Sequence, residues 1–327
     1  MGIKSLTYLI REKSPGSIQS VNLYTLKDKR VAIDTSIFLY KSLINCRYNG
    51  DYIRNKEGKI ISHIHGLYYK TIQYLSLGIT PIYIFDGKPP HEKNECISER
   101  NKKAQEYKEK MNQTNDKQEK LKLEKSTIRI KREYIDDLKQ LFTLMGVSYL
   151  HPDGEAEAYA GELCRLGYVD AVVTEDMDTF VYGCPIVIRN CIDKSIKRKD
   201  IISKFDLSKI LIDFQMNLDE FTDMCILCGC DYCPTIPRVG QVRAFQYIQK
   251  YKSIEALIAS EKCQVPQEFL DKYENARKLF HIYRDKINLD SLPIHTSELN
   301  KNELQKHLTE YCNMSTKRVQ TSLNKIN

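Results

Sequence analysis

Three short apolar runs in this chain each stop at an acid. They are Val31-Ala32-Ile33-Asp34, Pro81-Ile82-Tyr83-Ile84-Phe85-Asp86, and the stretch from Asp170 to Thr174 that leads into Glu175-Asp176-Met177-Asp178. A run that is apolar at every position is buried on both faces, which marks a parallel strand covered by helices. Helical spacing fills the intervals, from Ser36 to Ile44 and from His63 to Leu77, where Ile64, Leu67, Tyr68, Ile72 and Leu75 form one stripe. Further strands are expected from Val147 to Leu150 and from Pro185 to Arg189. Further helices are expected from Tyr134 to Met145, closed by Gly146, and from Glu155 to Gly167. The alternation predicts an α/β fold with a mostly parallel central sheet covered by helices. From about residue 206 onward the pattern is helical alone.

In an open parallel sheet the C-terminal strand ends share one edge, and ligands bind in the crevice there. Asp34, Asp86, Asp176 and Asp178 are therefore expected to converge. Asp176 and Asp178 stand two apart, so in an extended segment both leave on one face, while Glu175 and Met177 point away. Glu155 and Glu157 open a helix, where the backbone dipole favours negative charge. Asp231, in Gly229-Cys230-Asp231-Tyr232, follows an apolar helix running from Phe221 to Leu227. Carboxylates brought that close repel one another, and burial makes the repulsion worse. Hard divalent ions relieve it, because Mg²⁺ takes oxygen ligands. Two such ions can activate a water and stabilise the leaving oxygen of a phosphodiester.

Charge points the same way. Among 327 residues, 50 Lys and Arg against 43 Asp and Glu leave a net charge of +7, which suits a polyanionic partner. Residues 88–132 hold 14 Lys and Arg against 8 Asp and Glu, so nearly all of the excess lies there. Apolar residues are sparse in that stretch, so it reads as a charged helix pair offering a contact surface for phosphates. Eleven cysteines with no secretory leader imply free thiols in a reducing, intracellular compartment. No apolar run approaches the roughly 18 residues of a membrane helix, so no membrane partner is expected. Leu6 stands where a myristoylation signal needs Ser or Thr. Cys225, Cys228, Cys230 and Cys233 raise the question of zinc. Four ligands on one helix and its cap cannot easily surround one ion, so buried thiols are expected instead.

Taken in order, these stretches resemble the flap endonuclease family, among the structure-specific 5′ nucleases. The likeness rests on Met1-Gly2-Ile3, Val31-Ala32-Ile33-Asp34, Phe85-Asp86-Gly87-Lys88-Pro89-Pro90, Glu155-Ala156-Glu157-Ala158, Thr174-Glu175-Asp176-Met177-Asp178, and Cys225-Ile226-Leu227 through Gly229-Cys230-Asp231-Tyr232-Cys233. It implies a Mg²⁺-dependent 5′ flap endonuclease with 5′→3′ exonuclease activity, cutting DNA near single-strand/double-strand junctions in replication or repair. The alternatives are a sister nuclease preferring junctions, bubbles or gaps, and, from another class, a catalytically silent structure-specific DNA-binding protein. Two Mg²⁺ ions, replaceable by Mn²⁺, would be held by Asp34, Asp86, Glu155, Glu157, Asp176, Asp178 and Asp231. Lys93 and Arg100 would touch the scissile phosphate. Gly2, Tyr40, Arg47, Arg238, Gly240 and Arg243 would contact DNA. Residues 1–205 would form the nuclease core, with a helical arch at about 88–132. Residues 206–327 would form a helical DNA-binding part, with a helix-hairpin-helix at about 235–250.

The sequence also departs from the family pattern. The hairpin turn reads Arg238-Val239-Gly240, with Arg where the first glycine of a Gly-x-Gly turn is expected. Glycine adopts positive φ freely and arginine does not, so the K⁺ site of that hairpin is in doubt. Arg238 and Arg243 are expected to offer side-chain contacts to phosphate instead. Lys56 replaces an acid associated with reading a one-nucleotide 3′ flap. No sliding-clamp element is found. A monomer is expected, in the nucleus or at a cytoplasmic or viral replication site.

Overall fold

The computed structural model describes residues 2–114, 116–189 and 200–326. Nine strands run through the described residues: β1 (Ile18–Asn22), β2 (Arg30–Asp34), β3 (Arg47–Tyr48), β4 (Asp51–Tyr52), β5 (Thr80–Ile84), β6 (Tyr149–Leu150), β7 (Ala171–Val173), β8 (Ile186–Arg189) and β9 (Ile201–Asp206). The chain gathers into two compact units, each drawn from three stretches. The first comprises Met1–Thr25, Lys88–Cys96 and Asp153–Leu292; the second comprises Leu26–Gly87, Ile97–Pro152 and Pro293–Asn327.

In the second unit β2, β5 and β6 are parallel neighbours. Val31, Ala32 and Ile33 are fully buried, as an apolar run covered on both faces requires. Asp34 pairs in register with Ile84, which leaves Asp86 two residues past the end of β5. Helices Thr35–Asn45, Ser62–Ser76 and Arg132–Leu144 supply the covering layers. Tyr83 stacks on Phe142 at 4.0 Å between ring centres, tying β5 to the last of these helices. Asn49 and Gly50, both at positive φ, close the small β3–β4 hairpin.

In the first unit the strand order is β1-β9-β8-β7. β7 and β8 are parallel, while β8–β9 and β9–β1 are antiparallel. The α/β class with a mostly parallel sheet is thus the observed one, and among the described strands antiparallel ladders are confined to β1, β9 and β8 apart from the short hairpin. Sequence patterning missed β1 and β9. Both mix polar with apolar residues and neither is continuously buried, so neither carries the unbroken apolar signature. Helix Leu218–Cys228 begins at a capping box in which Asn217 and Glu220 satisfy each other's backbone N–H groups. Its buried Asp223 takes two bonds from Arg277, at 2.7 and 2.8 Å, and one from the Ile254 N–H. That pair fixes helix Tyr273–Phe280 against it.

The charged stretch forms two helices, Asn94–Gln113 and Lys117–Thr127. Along the first, Ala104 is the one fully buried residue, in keeping with its shortage of apolar side chains. Among the described residues no helix is long and apolar enough to cross a membrane.

Candidate active site

The acids of the first unit are built from three local structures. Glu155 is the N-cap of helix Ala156–Arg165 and Glu157 lies in its first turn, where the unpaired N–H groups favour negative charge. The segment after β7 does not continue extended. It turns at once into a short helical turn beginning at Asp178, and the Asp178 N–H bonds Asp176 Oδ1 at 3.2 Å. The extended alternation expected here is therefore corrected to a turn, made possible because Thr174 holds the Asp176 N–H at 3.1 Å. The turn nonetheless keeps the Asp176 and Asp178 carboxylates close together. Glu157, Asp176 and Asp178 place one oxygen each within 4.8 Å of the others, and all three are buried. Met177 is buried, and Glu175 pairs with Arg189 at 3.4 Å.

The chain's first residues close over this cluster. The Ile3 N–H donates to Asp178 Oδ1 at 2.5 Å, and the Lys4 N–H donates to the Gly229 carbonyl at 3.2 Å. Gly2 has φ +81°, and a Cβ there would overlap Asp176 Oδ1. Only glycine fits that conformation and that approach. Burial, reinforced by Asp176 and Asp231, pushes the Asp178 carboxyl well above the usual carboxylate range, against the pull of the Ile3 N–H and Lys93.

Lys93 answers part of this negative charge. Its ammonium bonds Glu155 and lies 3.6 Å from Asp231. Burial alone would lower its pKa; Glu157, Glu155 and Asp231 together raise it, so the side chain stays charged. Two residues that patterning missed hold Glu155 from the other side. Tyr182 and Tyr232 both donate to Glu155 Oε2, the former at 3.1 Å, and their hydroxyls lie 2.6 Å apart. Tyr232 was visible beside Asp231 in the sequence, but nothing in its spacing marks the hydroxyl. Asp231 also accepts from the Cys96 thiol at 3.4 Å.

Asp34 and Asp86 lie in the second unit. Asp34 caps helix Thr35–Asn45, accepting the N–H groups of Ser36 and Ile37 at 3.1 and 3.4 Å. The Ser36 hydroxyl donates to Asp86 Oδ2, so one serine holds both aspartates. Tyr40 donates to the Lys125 carbonyl at 3.0 Å. Arg47 is occupied by the Leu43 carbonyl at 2.9 Å, by Glu124 at 2.9 Å and by the Tyr52 ring at 3.6 Å. Arg100 lies on helix Asn94–Gln113, two turns beyond Lys93, half-buried.

In the hairpin, Arg238 has φ +66°, the left-handed conformation that the expected glycine would take without strain. The Arg243 guanidinium donates to the Arg238 carbonyl at 2.8 Å and Gly240 begins helix Gln241–Tyr251. Cys225, Cys228 and Cys233 are buried free thiols and Cys230 is half-buried. Among the described residues the one grouping able to hold a metal ion is Glu157, Asp176 and Asp178, not the cysteines. Three buried carboxylates with oxygen donors alone fit a hard divalent cation rather than a soft one.

The XPG N-terminal domain family matches residues 1–107 and the XPG I-region family residues 146–231. Flap endonuclease 1 of Homo sapiens is 35% identical over 332 residues, which span 100% of this chain and 86% of its own length. The solved flap endonuclease-1 from Methanococcus jannaschii superposes with a TM-score of 0.69 at 26% identity, over 94% of each chain. The catalytic core of Rad2 in complex with DNA substrate shares the fold, with a TM-score of 0.72 at 19% identity over 99% of this chain and 100% of that one. Identity of this extent over the whole of the chain shows that it belongs to the flap endonuclease family of nucleases.

Proposed function

We propose that the protein is a Mg²⁺-dependent 5′ flap endonuclease with 5′→3′ exonuclease activity, acting on DNA at single-strand/double-strand junctions. The observation that carries this reading is the buried trio Glu157, Asp176 and Asp178, whose oxygens lie within 4.8 Å of one another. Glu155 and Asp231 join them as metal ligands, and Asp34 and Asp86 are counted with them because each closes a strand in a stretch matched to the family. Two bound divalent ions, Mg²⁺ or Mn²⁺, would supply an activated water and charge compensation at the leaving oxygen.

The chain's own groups do the rest. The Ile3 N–H fixes the rotamer of Asp178. Tyr182 and Tyr232 fix Glu155. Lys93 keeps its proton among these acids and meets the scissile phosphate, as does Arg100, each offsetting charge on the phosphate oxygens. The functional division follows the family rather than the compact units. Residues 1–205 are the nuclease core with its arch at about 88–132, and 206–327 the DNA-binding part. Gly2, Tyr40, Arg47, Arg238, Gly240 and Arg243 are its further DNA contacts. The hairpin works with arginine side chains, and with Arg243 already on the Arg238 carbonyl it is no ready K⁺ site.

The test is hydrolysis of an end-labelled double-flap DNA. Wild type yields a short 5′ product with Mg²⁺ and none without it, and Asp178→Ala yields none. Equal product from Asp178→Ala, or none from wild type, overturns the reading. Running bubble, gapped and four-way junction DNA alongside ranks the flap against its alternatives.

A further inference from the structure

Past the end of β5 the chain that carries Asp86 leaves the sheet. The Phe85 N–H still bonds the Leu150 carbonyl of β6 at 2.9 Å, but from Phe85 to Pro90 the backbone is irregular. An aspartate in such a segment keeps a fixed direction only if something other than the ladder holds its peptide. His151 does so. It is the first residue past β6, and its Nε2 lies 2.9 Å from the Asp86 carbonyl oxygen. The other ring nitrogen, Nδ1, lies 2.7 Å from the ammonium of Lys139, which comes from helix Arg132–Leu144. A lysine ammonium has three donors and no acceptor, so Nδ1 must accept and the ring proton must sit on Nε2. The Nε2–H therefore donates to Asp86. Buried Phe85 is the floor beneath both side chains. Its ring centre lies 5.9 Å from that of His151 and 5.6 Å from Lys139 Nζ, within reach of a cation–π contact.

We propose that Lys139 and His151 are positioning residues for the nuclease reaction. Lys139 selects the imidazole tautomer, and His151 sets the direction of Asp86 by holding its carbonyl. The inference rests on the reading above in which Asp86 is a metal ligand. The Asp86 carboxylate is held separately by the Ser36 hydroxyl, so peptide and side chain are pinned by different residues. Ligands to metal ions are commonly oriented by outer hydrogen-bond partners of this kind. Here the partner grips the peptide of the carboxylate ligand rather than its oxygens. A packing role does not account for the arrangement. His151 is exposed, so replacing it opens no cavity in the core.

Cleavage kinetics and metal binding together test this. His151→Phe keeps a ring on Phe85 and removes both hydrogen bonds. Its kcat on double-flap DNA should fall about tenfold, the low end for loss of an outer partner of a metal ligand, with KM for DNA unchanged. Binding of Mn²⁺ to the DNA-free protein, followed by electron paramagnetic resonance, should weaken by about the same factor. His151→Gln should recover most of both losses, because its amide nitrogen stands as many bonds from the backbone as Nε2 and can donate to the same carbonyl. Lys139→Met keeps the stem and loses the ammonium. It should cost about threefold in kcat and add nothing to His151→Phe in the double variant. Wild-type kcat and Mn²⁺ affinity in His151→Phe, a loss confined to KM, or additive losses in the double variant would each overturn the proposal. Wild-type cleavage by Asp86→Ala would instead remove Asp86 from the metal site, and failure of wild type to cut the flap at all would overturn the nuclease reading.

Discussion

The two units hold their strand-end carboxylates in opposite ways. In the second unit Asp34 sits at a helix N-terminus, accepts two backbone N–H groups, and shares Ser36 with Asp86. Two backbone N–H groups and the helix N-terminus offset the charge on its Oδ1. In the first unit Asp178 receives one backbone N–H from Ile3 and faces Asp176 and Asp231, and burial pushes its carboxyl well above the usual range. The same sequence device, an apolar strand followed by aspartate, thus yields a settled acid in one unit and a crowded one in the other. Crowding of this kind opposes folding and is relieved by a bound cation, the usual exchange of stability for activity at a functional site.

The contrast breaks most visibly at Asp178. Asp178→Asn should cost at least about a thousandfold in kcat on flap DNA, yet raise the metal-free melting temperature by about 2 °C by removing a repelled charge. Asp34→Ala should lower that melting temperature by about as much through loss of the helix cap. Melting curves moving in the same direction for both would end the distinction. Mg²⁺ should raise the melting temperature of wild type and fail to do so for Asp178→Asn.

A smaller effect is expected at Gly2. Gly2→Ala forces a Cβ against Asp176 and strains a φ of +81°, so kcat should fall on the order of tenfold with little change in DNA binding. Ser36→Ala probes the settled side. Losing the bond to Asp86 should cost about 1 kcal/mol in denaturant unfolding. Least affected is Glu175→Gln. Its partner is Arg189, outside the acid trio, so flap cleavage should stay within about twofold and stability within ~0.5 kcal/mol. A large loss of cleavage there would mean that the trio is drawn too narrowly.

Reading the chain alone was enough for the α/β class, because β2, β5 and β7 are buried on both faces and their sequences are apolar without interruption. It was not enough for β1 and β9, whose half-exposed positions carry Gln, Ser and Lys. The clustering of Asp176 and Asp178 was legible from their spacing, though the path to it is a turn rather than an extended strand. Ser36, Tyr182 and Tyr232 were not legible. Each acts through a single hydroxyl whose partner is distant in sequence, and periodicity records burial but not hydrogen bonding. Arg238 was legible as a misfit, since a left-handed turn position is inferred from the glycine it replaces, and its φ of +66° is that conformation.

The bond from the Ile3 N–H to Asp178 spans 175 residues, and the neighbouring one from Lys4 reaches Gly229. Such contacts close late, because the loop entropy of the intervening chain must be overcome before they form. On a ribosome Ile3 must therefore wait for Asp178, and Lys4 for Gly229, to emerge before either contact can form. The acid cluster is in this sense a timed assembly: a nascent chain that already carries the basic stretch at 88–132 still lacks the later acids and the closure that Ile3 and Lys4 provide, so on the function proposed above a half-made copy would touch DNA before it could cut it.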